Sequence, residues 1–186
     1  MKYDKSFVRK KTFKIRKKKY LRADKFNFKL IFKLIKKHFG RKKIAIAGYY
    51  PSNYEVNILK LFELALEYRF NTCLPVIRSS NIMDFKTWRY KEPLNINKYG
   101  ILEPKTSNKK IIPDLILVPL LAYDSKLNRI GYGKGYYDRA LKKISKIKKK
   151  TIFLGVAFSF QKFLKIPINK HDVKLDYIFT ERGIIN

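Results

Sequence analysis

IAIAGYYPSNYEVNILKLFELAL, residues 44–66, decides the fold. Ile44 to Tyr50 reads as a buried strand, and a helical pattern follows it, with Val56, Leu59, Phe62 and Leu66 on one face. Between the two, Ser52 and Glu55 form the S-x-x-E pattern of a capping box, in which each side chain satisfies a backbone N–H of the other at a helix start. The unit is strand, turn, helix. Upstream, Asp24 is read as the cap of a helix carrying Phe28, Ile31, Phe32, Ile35 and Phe39, with Gly40 as its stop signal. Downstream, Thr72 to Ile77, Met83 to Trp88, Leu115 to Val118 and Thr151 to Phe158 read as strands, and a helix follows Tyr136. Strands alternating with helices predict an α/β fold: a layered, mostly parallel sheet flanked by helices, in a single domain over residues 1–186. In such sheets ligands gather beyond the carboxyl ends of the strands, which points to Tyr50 and to the loop from Pro119 to Gly135. The segment from Tyr90 to Pro113, with four Pro or Gly residues that break structure, reads as loop-rich and able to include a flap over a ligand.

The net charge of +30 would ordinarily direct attention to nucleic acid or to an anionic membrane. Composition weakens that inference. Lys outnumbers Arg roughly three to one, and Ile, Asn, Tyr and Phe are plentiful, a bias that A/T-rich codons produce without any polyanionic partner. The densest basic run, Lys10 to Lys19, and the lysines of Lys142 to Lys150 read as solvated faces of amphipathic helices. Cys73 is the only cysteine, which excludes an intrachain disulfide and suits a reducing cytosol. No apolar run is long enough to span a bilayer and no secretory signal is visible, so the expected location is cytoplasmic.

The chemistry concentrates in GYGKGYYDR, Gly131 to Arg139. Glycines at alternate positions let the backbone turn and bring N–H groups to an anion, Lys134 adds a mobile positive charge, and an incipient helix adds unpaired N–H groups and the positive end of its dipole. No Ser or Thr follows the lysine and the glycines do not fall as GxGxxG, so the stretch is neither a P-loop nor a dinucleotide fingerprint. Alone, it fits a glycine-rich turn into a helix as well as a phosphate site.

Further segments narrow the choice. DLILVPLLAYD (114–124), RIGYGKGYYDR (129–139), GVAFSFQ (155–161) and PINKHDVKLDYIFTE (167–181), with YYPSNYEVN (49–57) and GILEP (100–104), occur in an order that resembles the 5-formyltetrahydrofolate cyclo-ligase (5,10-methenyltetrahydrofolate synthetase) family over nearly the full chain. Tyr123, where the family commonly has Phe, and Asn128 depart from the pattern without touching its chemistry.

The resemblance implies ATP- and Mg²⁺-dependent conversion of 5-formyltetrahydrofolate to 5,10-methenyltetrahydrofolate, with ADP and phosphate released. It assigns ATP contacts to Lys5, Ser6, Phe7, Val8 and Arg9 and to Arg129, Ile130, Gly131, Tyr132, Gly133, Lys134, Gly135, Tyr136 and Tyr137. Folate contacts fall on Tyr50, Glu55, Tyr132, Gly133, Lys134, Gly135 and Tyr136, and magnesium on Asp138 and Asp172, with Asp176 as a rival ligand. Lys134 and Arg139 are the expected catalytic residues. Glu55 has a competing use as the capping-box member, and Asp138 as a carboxylate at a helix start. The expected protein is a monomer acting on small molecules, without a membrane or a specific nucleic acid, its positive surface suited to polyglutamylated folate. Two rivals remain: an RNA-associated binder without catalysis, favoured by lysine content, and an ATP-dependent ligase acting on another formyl or carboxamide substrate.

Overall fold

The computed structural model describes residues 4–20, 25–78 and 82–186. Seven strands make one sheet: β1 (Ala45–Ala47), β2 (Asn71–Ile77), β3 (Met83–Thr87), β6 (Leu115–Pro119), β9 (Ile152–Val156), β10 (Tyr177–Thr180) and β11 (Gly183–Ile185), in the order β11-β10-β9-β6-β1-β2-β3. Two short pairs, β4 (Asn95–Ile96) with β5 (Leu102–Glu103) and β7 (Ala122–Tyr123) with β8 (Arg129–Ile130), stand apart from it. The five central strands are parallel, and the edges β3 and β11 run antiparallel. The chain builds outward from β1 to β3, then returns with β6 on the other side of β1, which makes the gap between β1 and β6 a topological switch point.

Alternation along each strand feeds two cores. Leu115 and Leu117 face helices α2 (Lys29–Phe39) and α3 (Leu59–Glu67), packing with Ile31, Ile35, Leu61 and Phe62. Ile116 and Val118 point the other way, joining Leu141 and Ile144 of α4 (Tyr136–Ile147). Helix α1 (Lys5–Lys19) seats Val8 on Ala122 and Ile130 of the β7–β8 pair. Gly48 ends β1 where a Cβ would stand 2.5 Å from the Phe62 ring, so glycine here lets α3 pack against the strand exit.

One expectation needs correction. The Glu55 carboxylate does accept from the Ser52 N–H, but the Glu55 N–H is accepted by the Ser52 carbonyl rather than its hydroxyl, which closes a turn: α3 starts only at Leu59, whose N–H is accepted by the Asn57 side chain. Asn53 and Tyr54 between them are left-handed, at φ 49° and 61°, a conformation no α-helix can run through. The lysines of the run Lys10 to Lys19 are exposed, as a solvated helix face requires, while Thr12 and Arg16 turn inward and are buried. Helix α2 begins at Lys29, whose N–H is accepted by the Asn27 side chain, and the cap expected at Asp24 lies outside the described residues. Cys73 and Trp88 belong to the core, the indole edge-on to Phe62.

Candidate active site

A cleft of about 820 Å³ opens over the carboxyl ends of β1, β2 and β6 at the switch point. Tyr49 and Tyr50 leave β1 into it, Ile77 and Pro119 end β2 and β6 beside it, and the whole stretch Arg129–Arg139 lines one wall. Tyr99, Ile101, Leu102 and Glu103 of the β4–β5 hairpin form a flap over another, with the Tyr99 and Tyr136 hydroxyls 3.4 Å apart.

In the glycine loop, Gly133 and Gly135 adopt φ of 98° and 68°, backbone that only glycine enters freely. Gly135 sits at the start of α4, where no side chain caps the helix, so first-turn N–H groups are left for a ligand or water. Lys134 is exposed at the crest. Arg139 folds back from α4 and donates to the Lys134 carbonyl at 2.9 Å, bracing the loop.

Helix α1 crosses behind this loop. Arg9 donates from Nε to the Gly131 carbonyl at 2.9 Å, and Lys5 reaches Asp172 Oδ2 at 2.5 Å. Asp172 also accepts from the Asn169 amide, while Asp138 Oδ1 accepts from Arg129 at 2.6 Å and from the Val173 amide at 3.1 Å. Arg129 also donates to the Val173 carbonyl, which ties the two carboxylate segments together. Burial depresses the Arg129 pKa, and Asp138 opposes that shift. Asp176 takes no part: its Oδ2 accepts from the Phe153 amide at the start of β9. Among the expected ATP contacts, Ser6, Phe7 and Val8 do not line the cleft, and Val8 is sealed in the α1 core.

On the opposite wall Glu55 and Tyr49 are buried. Glu55 is 6% exposed, and its carboxylate accepts from the Ser52 amide at 2.9 Å and the Tyr132 hydroxyl at 2.8 Å. Burial raises its pKa above the ordinary carboxylate value, against the pull of these hydrogen bonds and of Arg16. Burial likewise pushes up the phenols of Tyr49, Tyr132 and Tyr137, with Glu55 adding to each shift. The Tyr137 hydroxyl is buried and has no hydrogen-bond partner among the described residues. A buried donor without a partner costs about 1–3 kcal/mol, a cost a bound ligand can remove.

Sequence reasoning missed Arg16. It is 1% exposed and donates to the Asn53 carbonyl at 2.6 Å, the Tyr132 hydroxyl at 2.5 Å and the Leu120 carbonyl at 3.3 Å. The signal was present: Arg16 lies seven residues from Arg9 and eleven from Lys5, spacings that bring all three to one helical face. The flap falls in the segment from Tyr90 to Pro113, which is expected to supply one, and Ile101, Leu102 and Glu103 belong to the GILEP stretch.

A cationic glycine loop facing a desolvated carboxylate across a switch-point cleft marks an α/β enzyme that works on small polar molecules. Its kind is given by comparison: the model of the 5-formyltetrahydrofolate cyclo-ligase family matches residues 1–181. A Schizosaccharomyces pombe protein named "Probable 5-formyltetrahydrofolate cyclo-ligase" is 34% identical over 145 residues, 70% of this chain and 71% of its own. The 5-formyltetrahydrofolate cyclo-ligase of Haemophilus influenzae is 31% identical over 136 residues, covering 70% and 72%. The solved Aquifex aeolicus 5,10-methenyltetrahydrofolate synthetase superposes with a TM-score of 0.76 at 28% identity, covering 98% of this chain and 92% of its own. This chain therefore belongs to the 5-formyltetrahydrofolate cyclo-ligase family, ligases that form a C–N bond. Among the described residues no helix is long and apolar enough to cross a membrane.

Proposed function

We propose that the cleft binds ATP and 5-formyltetrahydrofolate side by side and closes the folate ring at the expense of ATP. One observation carries this reading: Tyr132 belongs to the glycine loop, yet its hydroxyl donates to Glu55, so the phosphate-type loop and the buried carboxylate form one site. Glu55 and Tyr50 would take the pteridine, whose N–H groups suit a carboxylate acceptor. The loop amides of residues 131–135, Lys134 and the pair Lys5 and Arg9 would take the triphosphate, with Arg139 holding the Lys134 carbonyl in place.

The chemistry follows from the leaving group. A formyl oxygen leaves poorly as hydroxide. Transfer of the γ-phosphoryl group to that oxygen makes it phosphate, N10 then attacks the formyl carbon, and the N10 proton and phosphate depart to give the methenyl product and ADP. Lys134 and the loop amides stabilise charge on the transferring phosphoryl group, and the buried Glu55 side of the cleft limits water at the activated formyl carbon.

Magnesium fits the residues present. Asp138 and Asp172 offer hard oxygens in one cleft, and this ion is commonly held by one or two carboxylates together with phosphates and water. When bound it would neutralise phosphate charge. The reading extends to residues 1–186 acting as one monomeric domain in the cytoplasm, with no membrane or specific nucleic acid. Exposed Lys134 and Lys142 along the cleft support acceptance of an anionic polyglutamate tail. The deciding assay combines purified protein, ATP, magnesium and 5-formyltetrahydrofolate and follows methenyl absorbance. Folded protein that yields no product at saturation rejects the proposal.

A further inference from the structure

We infer that Arg16 is a positioning residue for the folate half of the site, acting through the Tyr132 hydroxyl and the Asn53 turn to hold the Glu55 carboxylate in place at the cleft. The inference rests on the proposed function and deepens it.

The geometry forms a relay from helix to turn. Arg16 donates to the Tyr132 hydroxyl, which spends its own proton on Glu55 Oε1, so the guanidinium fixes the direction in which the phenol donates. A second Arg16 nitrogen bond, to the Asn53 carbonyl, grips the turn that presents Glu55. A third, to Leu120, anchors the guanidinium to the exit of β6. One side chain thus binds the glycine loop, the Ser52 turn and the sheet. Arginine is the residue suited to this, because its planar fork stays charged when buried and serves several acceptors at once. A lysine would offer a point charge.

Helix α1 also gains a division of labour. Its first two turns send Lys5 and Arg9 to Asp172 and Gly131, and its last full turn sends Arg16 to Tyr132. The groups facing Glu55 are Arg16 from α1, Tyr132 from the loop, Tyr137 from α4, Tyr49 after β1 and Ser52 from its own turn. Arg16 is the cation among them, so its removal leaves a desolvated carboxylate among neutral phenols. Glu55 would then hold its proton to higher pH.

Steady-state kinetics across pH test this with Arg16→Met, Arg16→Lys, Tyr132→Phe and the Arg16→Met/Tyr132→Phe double variant. Arg16→Met is expected to raise KM for 5-formyltetrahydrofolate about tenfold, as loss of one charge-assisted hydrogen bond would, with KM for ATP changed less than about twofold. Its acid limb of kcat/KM for folate should move up by about half a pH unit or more, with partial return in Arg16→Lys. Tyr132→Phe should raise the folate KM similarly while leaving Arg16 its carbonyl partners, and the double variant should be no worse than the poorer single. Equal effects on both substrates, an unmoved acid limb, or additive effects in the double variant overturn the inference. If Arg16→Met does not fold, Tyr132→Phe with Arg16→Lys decides by the same criteria. Wild-type protein that makes no product would overturn the proposed function itself, whereas active wild type with unaltered variants overturns only the role of Arg16.

Discussion

The two walls of the cleft solve opposite problems. The glycine loop keeps Lys134 exposed at its crest, while around Glu55 a carboxylate, the Tyr49 ring, the Tyr137 hydroxyl and Arg16 are withdrawn from water. An exposed lysine can follow a phosphoryl group as it moves, and its interaction is screened until the ligand closes over it. A buried carboxylate cannot move, but it recognises a neutral heterocycle strongly because an unmet partner there is costly. Mobile charge thus sits where bonds would change, and rigid polarity where a ring would be recognised.

Substitutions can break this contrast. The largest effect is expected from Lys134→Met, which should lower kcat about a hundredfold or more with little change in folate KM; near-normal turnover would remove Lys134 from the chemistry. Glu55→Gln should act the other way, raising folate KM about tenfold while leaving ATP saturation nearly intact. The same variant tests burial independently of turnover. Because the folded pKa of Glu55 is raised, its contribution to stability is full below the ordinary carboxylate pKa and is lost as pH rises through the shifted value. Melting temperatures of Glu55→Gln relative to wild type should therefore climb as pH increases from acid to neutral, and a constant difference would refute the shift. Gly133→Ala, at φ 98° with its Cβ 3.2 Å from the Arg9 guanidinium, should raise KM for ATP about fivefold and spare folate. The smallest contrast separates neighbouring carboxylates: Asp172→Asn should raise the magnesium needed for half-maximal rate a few-fold, whereas Asp176→Asn should leave it unchanged and lower the melting temperature by about 2–4 °C.

Hydrophobic pattern made the sheet and its ligand edge readable. Leu115 to Val118 and Thr151 to Phe158 could only be buried strands, and strand exits at Tyr50 and Pro119 do meet at the cleft. The turn at Ser52 misled because one of its hydrogen bonds, from the Ser52 N–H to the Glu55 carboxylate, is that of a capping box; the Glu55 N–H goes instead to the Ser52 carbonyl, and the left-handed Asn53 and Tyr54 between them make the difference. In α1 the inward stripe of Val8, Thr12 and Arg16 was masked by the many lysines around it. One arginine among so many cations looks ordinary until packing removes its water. The flap was legible from its Pro and Gly residues but its hairpin was not, since β4 and β5 are two residues each and draw their pairing from tertiary context.

Three polar atoms end without a protein partner among the described residues: Thr12 Oγ1, Arg16 Nε and the Tyr137 hydroxyl. Two lie on the inward face of α1, and the third on the residue that joins α4 to the cleft. Selection for heat resistance would first find apolar replacements at these positions, since burying carbon there is cheaper than burying an unmet oxygen or nitrogen. Thr12 would give up its hydroxyl freely. At Arg16 and Tyr137 the same hardening would come out of substrate recognition, so this fold is expected to trade turnover for endurance along one helix and the turn it faces.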